Sequence, residues 1–183
     1  MKELILPISL LFTVGGCATA YDAKTASKFA GFSLAGRSDS TSTTLRNTYA
    51  WAFQDEACNP SKYGTRLGGE LGNSANAASS IVQIAADEKF VFTAVYTEAR
   101  FGQNRECAVT GSFNPIAGHQ YKARLITSDA VSTCQLGVYD VTNDAEEQIE
   151  FSMPPYACIF NGTSTRHNGR PLWTDFKVRI LNK

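Results

Sequence analysis

Phe90-Val91-Phe92-Thr93-Ala94-Val95-Tyr96-Thr97 is the stretch whose reading decides the fold. Phe90, Phe92, Ala94 and Tyr96 share one parity, while Val91, Thr93, Val95 and Thr97 share the other. Successive side chains of an extended chain point to opposite faces, so both faces of this segment carry strand-favouring residues. A strand apolar on both sides needs cover above and below. The segment is expected to be a central strand.

Two-residue alternation recurs on either side of it, and helical periodicity is scarce. Upstream, Phe32 and Leu34 suggest a short first strand. Leu45, Asn47, Tyr49, Trp51 and Phe53 then occupy one parity, all but Asn47 apolar, and Arg46, Thr48, Ala50 and Ala52 the other, the pattern of a half-buried strand. The glycine-, asparagine- and serine-rich stretch 55–80 reads as a long loop pinned by Cys58. Unstructured loops beyond about 15 residues are uncommon and often functional, so recognition by this loop is the alternative. The run 81–85 and a turn at Asp87-Glu88 lead into the central strand.

Downstream, Cys107, Val109 and Phe113 precede the turn Asn114-Pro115-Ile116-Ala117-Gly118. Tyr121, Ala123, Leu125 and Thr127 alternate with Gln120, Lys122, Arg124 and Ile126, and another strand covers 134–141. A strand over 148–153 ends at Pro154-Pro155, because proline cannot donate to a ladder. A strand over 156–160, a polar loop over 161–171 and a last strand over 173–181 complete the chain. Roughly eight short strands separated by turns define an all-β sandwich or barrel. The expectation is a disulfide-braced β-sandwich, immunoglobulin-like or transthyretin-like, over residues 29–183.

The chain has five cysteines. Cys58, Cys107, Cys134 and Cys158 are widely spaced, without a C-x-x-C pair or a nearby histidine couple, which disfavours zinc and favours two disulfides. Four cysteines permit three pairings. Hairpin register sets Cys107 and Cys134 level on either side of the 120–127 strand, about 10 Å apart if all three share one flat sheet. A bridge needs Cα atoms within about 7 Å, so pairing them requires one strand to cross to a second sheet. Sandwich disulfides commonly do this, and Cys107–Cys134 with Cys58–Cys158 is the favoured arrangement.

The fifth cysteine has another context. Residues 4–14 are mostly apolar, far short of the roughly 20 residues that span a bilayer as a helix but suited to a signal peptide. Val14-Gly15-Gly16-Cys17 follows and resembles the bacterial lipobox: a branched apolar residue, two small residues, then cysteine. The resemblance implies that residues 1–16 are cleaved and that Cys17 becomes the lipid-modified first residue. It also implies that Ala18, where an aspartate would favour inner-membrane retention, directs the protein to the outer membrane. Glu3 offsets Lys2 and makes the leading segment less positive than is usual for such signals. An ordinary secretory signal cut after Ala18 or Ala20 is the alternative. The small, polar stretch 17–28 is expected to form a tether. Phe113-Asn-Pro-Ile-Ala-Gly-His-Gln-Tyr121, followed by Cys134, further resembles a turn of small β-rich bacterial lipoproteins without an assigned role.

Seventeen basic and seventeen acidic residues balance, which argues against a nucleic-acid partner or a polybasic lipid-binding patch. No catalytic residue or metal ligand set is nominated, and no cofactor is expected. His119 and His167, the only histidines, sit in turn or loop contexts and read as solvated. Gly31-Phe-Ser33-Leu-Ala35 lacks the closing glycine of a nucleophile elbow. Asp140, Asn143, Asp144, Glu146, Glu147 and Glu150 match no calcium-loop order and read as a solvated turn. Asn161-Gly162-Thr163 reads as a tight turn, and Trp51 and Trp173 read as core residues. The expected function is a non-enzymatic, lipid-anchored envelope protein, facing the periplasm, that binds an envelope protein or glycan through the 55–80 and 161–171 loops. The alternative is a periplasmic inhibitor or immunity protein against a hydrolase.

Overall fold

The computed structural model describes residues 18–40, 45–72, 76–86, 88–100, 102–128, 131–143, 145–159 and 162–175. Cys17 and the signal-like segment lie outside them. The described strands are β1 (Phe29–Ser38), β2 (Leu45–Phe53), β3 (Arg66–Gly72), β4 (Asn76–Ala78), β5 (Val82–Ala85), β6 (Phe90–Arg100) and β7 (Gln103–Phe113). They continue as β8 (Gln120–Thr127), β9 (Cys134–Asp140), β10 (Glu147–Gln148), β11 (Tyr156–Ile159), β12 (Gly162–His167) and β13 (Leu172–Asp175). One sheet runs β13-β7-β6-β2-β3, with β6 in its centre. The other runs β10-β9-β8-β1, and both β4 and β5 pair with the far edge of β1. Every pairing is antiparallel except β1 with β8.

The inner faces of the two sheets form one core. Phe32 and Leu34 of β1, Tyr121, Ala123 and Leu125 of β8 and Val138 of β9 meet Phe90, Phe92, Ala94 and Tyr96 of β6. Phe32 packs edge-on to Phe92 with ring centroids 4.9 Å apart, and Phe113 does the same to Tyr121 at 4.8 Å. Such ring pairs add about 0.5–1.5 kcal/mol each beyond the area they bury. Because these rings fill the space, β2 supplies the small residues Thr48, Ala50 and Ala52 to this layer. Its register is therefore the reverse of the sequence expectation: Tyr49 and Trp51 point away from the main core.

The outer face of β6 is buried by a third layer. The β11–β12 hairpin brings Ala157 onto Val95 and Ala108, and Cys58–Cys158 packs on Val91 and Phe53. The Thr93 and Thr110 hydroxyls pair at 2.7 Å, and the Cys158 amide donates to Thr110 Oγ1 at 2.7 Å. Both faces of the central strand are covered, as its sequence requires.

The two disulfides are Cys58–Cys158 and Cys107–Cys134, with Cα separations of 5.2 and 6.1 Å. This is the pairing that strand register favours, with β7 in one sheet and β9 in the other. Several other expectations are corrected. Thirteen strands are described rather than roughly eight, because pairing extends into stretches without alternation. The 55–80 stretch holds β3 and β4, and the polar stretch 161–171 holds β12. The 148–153 stretch keeps only the end of β10 and a bridge between Ser152 and Ser112. The 17–28 stretch is docked from Thr19 onward, with Tyr21 and Ala23 in the core. Trp173, on edge strand β13, is 51% exposed, and the Arg105 guanidinium sits 4.8 Å from its ring centre. Of the expected strand 173–181, residues beyond 175 lie outside the described set.

Candidate functional site

The histidines that sequence reading assigned to solvent both have partners. His119, at the start of β8, pairs its Nδ1 with Asp140 Oδ2 at 2.6 Å and stacks on Tyr121. Asp140 Oδ1 accepts the Thr142 amide at 2.9 Å and the Thr142 hydroxyl. Burial pushes the Asp140 carboxyl up, but the hydrogen bonds from Thr142 and His119 outweigh it and leave the group below the usual carboxylate range. The arrangement clasps the start of β8 to the end of β9. Further along the same acidic hairpin, Glu146 is engaged by Lys122 and Arg124, so part of its charge is already balanced. Among the described residues, no group of three or more His, Cys, Asp and Glu side chains could hold a metal ion. Ser33 donates to the Tyr121 carbonyl at 3.3 Å. Asp144 and Asn161 lie outside the described residues.

Large open depressions lie on either side of the sandwich among the described residues. The first, of about 720 Å³, runs along the seam where β7 and β9 approach each other. Val109, Cys134 and Leu136 form one wall, and Met153, Pro154, Pro155, His167 and Gly169 the other. Met153 is 59% exposed, and Tyr156, 48% exposed, stacks on His167 at 5.3 Å. Asn168 fixes this second wall. Its side-chain oxygen accepts the Thr110 amide at 2.8 Å, and its amide nitrogen donates to the Thr110 and Pro154 carbonyls, each at 2.8 Å. The Asn168 side chain thus takes the place of a strand on the edge of β7. The sequence signalled the Pro-Pro stop but not the cleft, because the lining comes from four separated stretches.

The second depression, of about 590 Å³, lies on the outer face of β2 and β3 at the opposite edge of the same sheet. Tyr49 and Trp51 stand edge-to-face at 5.5 Å. Asn47, Arg66, Gly68, Gly69 and Ala18 complete its lining. At Gly69 a Cβ would meet Tyr49 Cβ at 2.5 Å, so only glycine lets β3 pass beneath the ring. Gly68 adopts φ +134° where β2 and β3 slip register between Ala50 and Trp51, a backbone that glycine alone adopts readily. The Tyr49 hydroxyl is pushed up to about 12 by burial and by the Glu106 carboxylate, against a smaller opposing effect of Arg166. Glu106 and Arg166 form an ion pair at 2.5 Å that ties β7 to β12.

A depression of about 310 Å³ lies between Leu45, Thr97, Glu106 and Leu172, and a small hollow beside Tyr21, Tyr63 and Phe90, of about 20 Å³, admits little more than a water molecule. Fold and surface define a disulfide-braced, three-layered all-β module whose largest described clefts, of about 720 and 590 Å³, lie at opposite edges. No protein-family model matches the chain, and no curated protein shows significant similarity to it.

Proposed function

We propose that this chain is an exported bacterial lipoprotein, anchored in the outer membrane through Cys17, whose β-sandwich binds another envelope component without catalysing a reaction. The observation that carries the reading is the use of sulfur. Four of five cysteines are consumed in two disulfides, which belong to an oxidising compartment, and the remaining one is the cysteine of Val14-Gly15-Gly16-Cys17. Two or more acyl chains on such a residue make a stable anchor, at about 0.8 kcal/mol per buried methylene. The anchor confines the domain to a thin layer and raises its effective concentration near a partner.

The β7–β9 cleft is the surface that receives the partner. Its methionine, two prolines and aliphatic residues favour an apolar protein segment over a glycan, and it lies at the sheet edge away from the N-terminus. Fractionation of cells tests the anchoring: the protein should sediment with outer membranes, and Cys17→Ser should release it or block its maturation. A wild-type protein recovered wholly in the soluble fraction contradicts it. A photo-crosslinker at Met153 in living cells should trap a discrete envelope protein, whereas one at Ile81 should not. Equal trapping at both positions removes the cleft from the account.

A further inference from the structure

Thr19 is the first residue held by the domain's backbone. Its carbonyl accepts the Thr65 and Arg66 amides at 3.0 and 2.9 Å, and the Tyr21 amide donates to the Arg66 carbonyl at 2.8 Å. Tyr21 and Ala23 behind it are buried. Ala18 already forms part of the groove wall beside Tyr49, Trp51 and Arg66. Cys17 is one residue further, so its Cα lies within about 7 Å of extended chain from that of Thr19. A free tether over residues 17–28 would have allowed about 40 Å. Lipid chains carried by Cys17 would enter the bilayer close to Ala18, which itself lines the groove.

The groove's chemistry suits that position. Tyrosine and tryptophan pair an apolar ring with a polar edge and collect at the headgroup level of membranes. Arginine reaches phosphate with its head while its stem covers apolar surface. Arg66 is exposed, and none of the described residues that line the groove is a carboxylate. Gly68 and Gly69 keep the floor low beside the two rings.

We infer that the groove formed by Tyr49, Trp51 and Arg66 is the membrane-contact face of the domain, seated on the phosphate-bearing headgroups of the bilayer that holds the Cys17 lipid. This rests on the acylation proposed above. The domain then lies directly on the membrane with its β7–β9 edge turned away.

Full-length acylated protein in phosphatidylethanolamine–phosphatidylglycerol vesicles, with a nitroxide on the lipid headgroup, provides the test. Trp173→Phe leaves Trp51 as the sole fluorophore, and Trp51→Phe leaves Trp173 at the opposite sheet edge. Trp51 emission should be quenched severalfold more strongly than Trp173 emission, and Arg66→Glu should narrow the difference. Protein that floats with the vesicles and carries acyl mass on Cys17, yet shows equal or no quenching at the two positions, overturns the inference and leaves the anchor intact. Trp51 emission that responds to soluble peptidoglycan fragments and not to the vesicles also overturns it, assigning the groove to glycan. Absence of both flotation and acyl mass overturns the anchor, and the inference with it.

Discussion

Glu98 occupies an inner-face position of β6, in the parity of Phe92, Ala94 and Tyr96, and its side chain is fully buried. Arg100 Nε lies 2.6 Å from its carboxylate, Arg105 4.0 Å, and the Tyr96 hydroxyl donates to it at 3.1 Å. Breaking such a buried pair by removing one partner costs about 3–5 kcal/mol. Glu98→Ala should lower unfolding stability by that order in urea titration, and a change under about 1 kcal/mol would remove the network from the account. Alternation along β6 predicted the burial of its rings but not of this carboxylate, whose cationic partners are Arg100, two residues on in the same strand, and Arg105 of the neighbouring β7. Asp140 supplies a pH signature. Its carboxyl lies below the ordinary range in the folded chain, so its stabilisation is complete above that range and disappears as pH falls through the folded value. Asp140→Asn should flatten the acid limb of stability against pH, and an unchanged limb would show that other carboxylates govern it.

At the level of elements, legibility followed side-chain alternation. β6 and β8 carry aromatic, aliphatic or β-branched residues at every second position, and their parity was readable directly. β3 and β12 were not readable, because Gly68-Gly69 and Thr163-Ser164-Thr165 advertise turns or loops while their backbones complete ladders beside β2 and β11. The inverted face of β2 was hidden for a different reason: nothing in the strand itself tells that Phe32 and Phe92 already fill the core opposite it. Gly69→Ala should therefore cost about 1–3 kcal/mol through overpacking against Tyr49, read by thermal melting. A neutral effect would mean that β3 does not lie under the ring. The disulfides differ in reach. Cys58–Cys158 spans 100 residues and Cys107–Cys134 spans 27. On the chain-entropy model, removing the first by paired alanine substitutions should cost about 4–5 kcal/mol and the second about 3–4 kcal/mol. Equal losses, or a reversed order, would show that native-state packing around the bridges outweighs loop closure.

Across the whole molecule, the proposed anchor and the proposed partner surface are linked by orientation. The N-terminal docking at β3 and the cleft between β7 and β9 lie at opposite edges of the five-stranded sheet, so anchoring one edge presents the other. The sequence made the sandwich legible and left the cleft unannounced, since clefts are assembled from distant segments by topology. A ten-residue Gly-Ser insertion between Cys17 and Ala18 should leave the melting temperature unchanged while allowing protease access to the chain between membrane and domain; equal protection of both forms would show that the native spacer is not what holds the domain close. The lipoprotein reading depends most heavily on how the five cysteines are used. Intact mass spectrometry of the mature protein, alkylated without reduction, measures this directly. The predicted result is a chain beginning at Cys17 with acyl chains attached and no alkylated cysteine; a chain retaining residues 1–16, bearing no lipid and alkylated at Cys58, Cys107, Cys134 and Cys158 would contradict it.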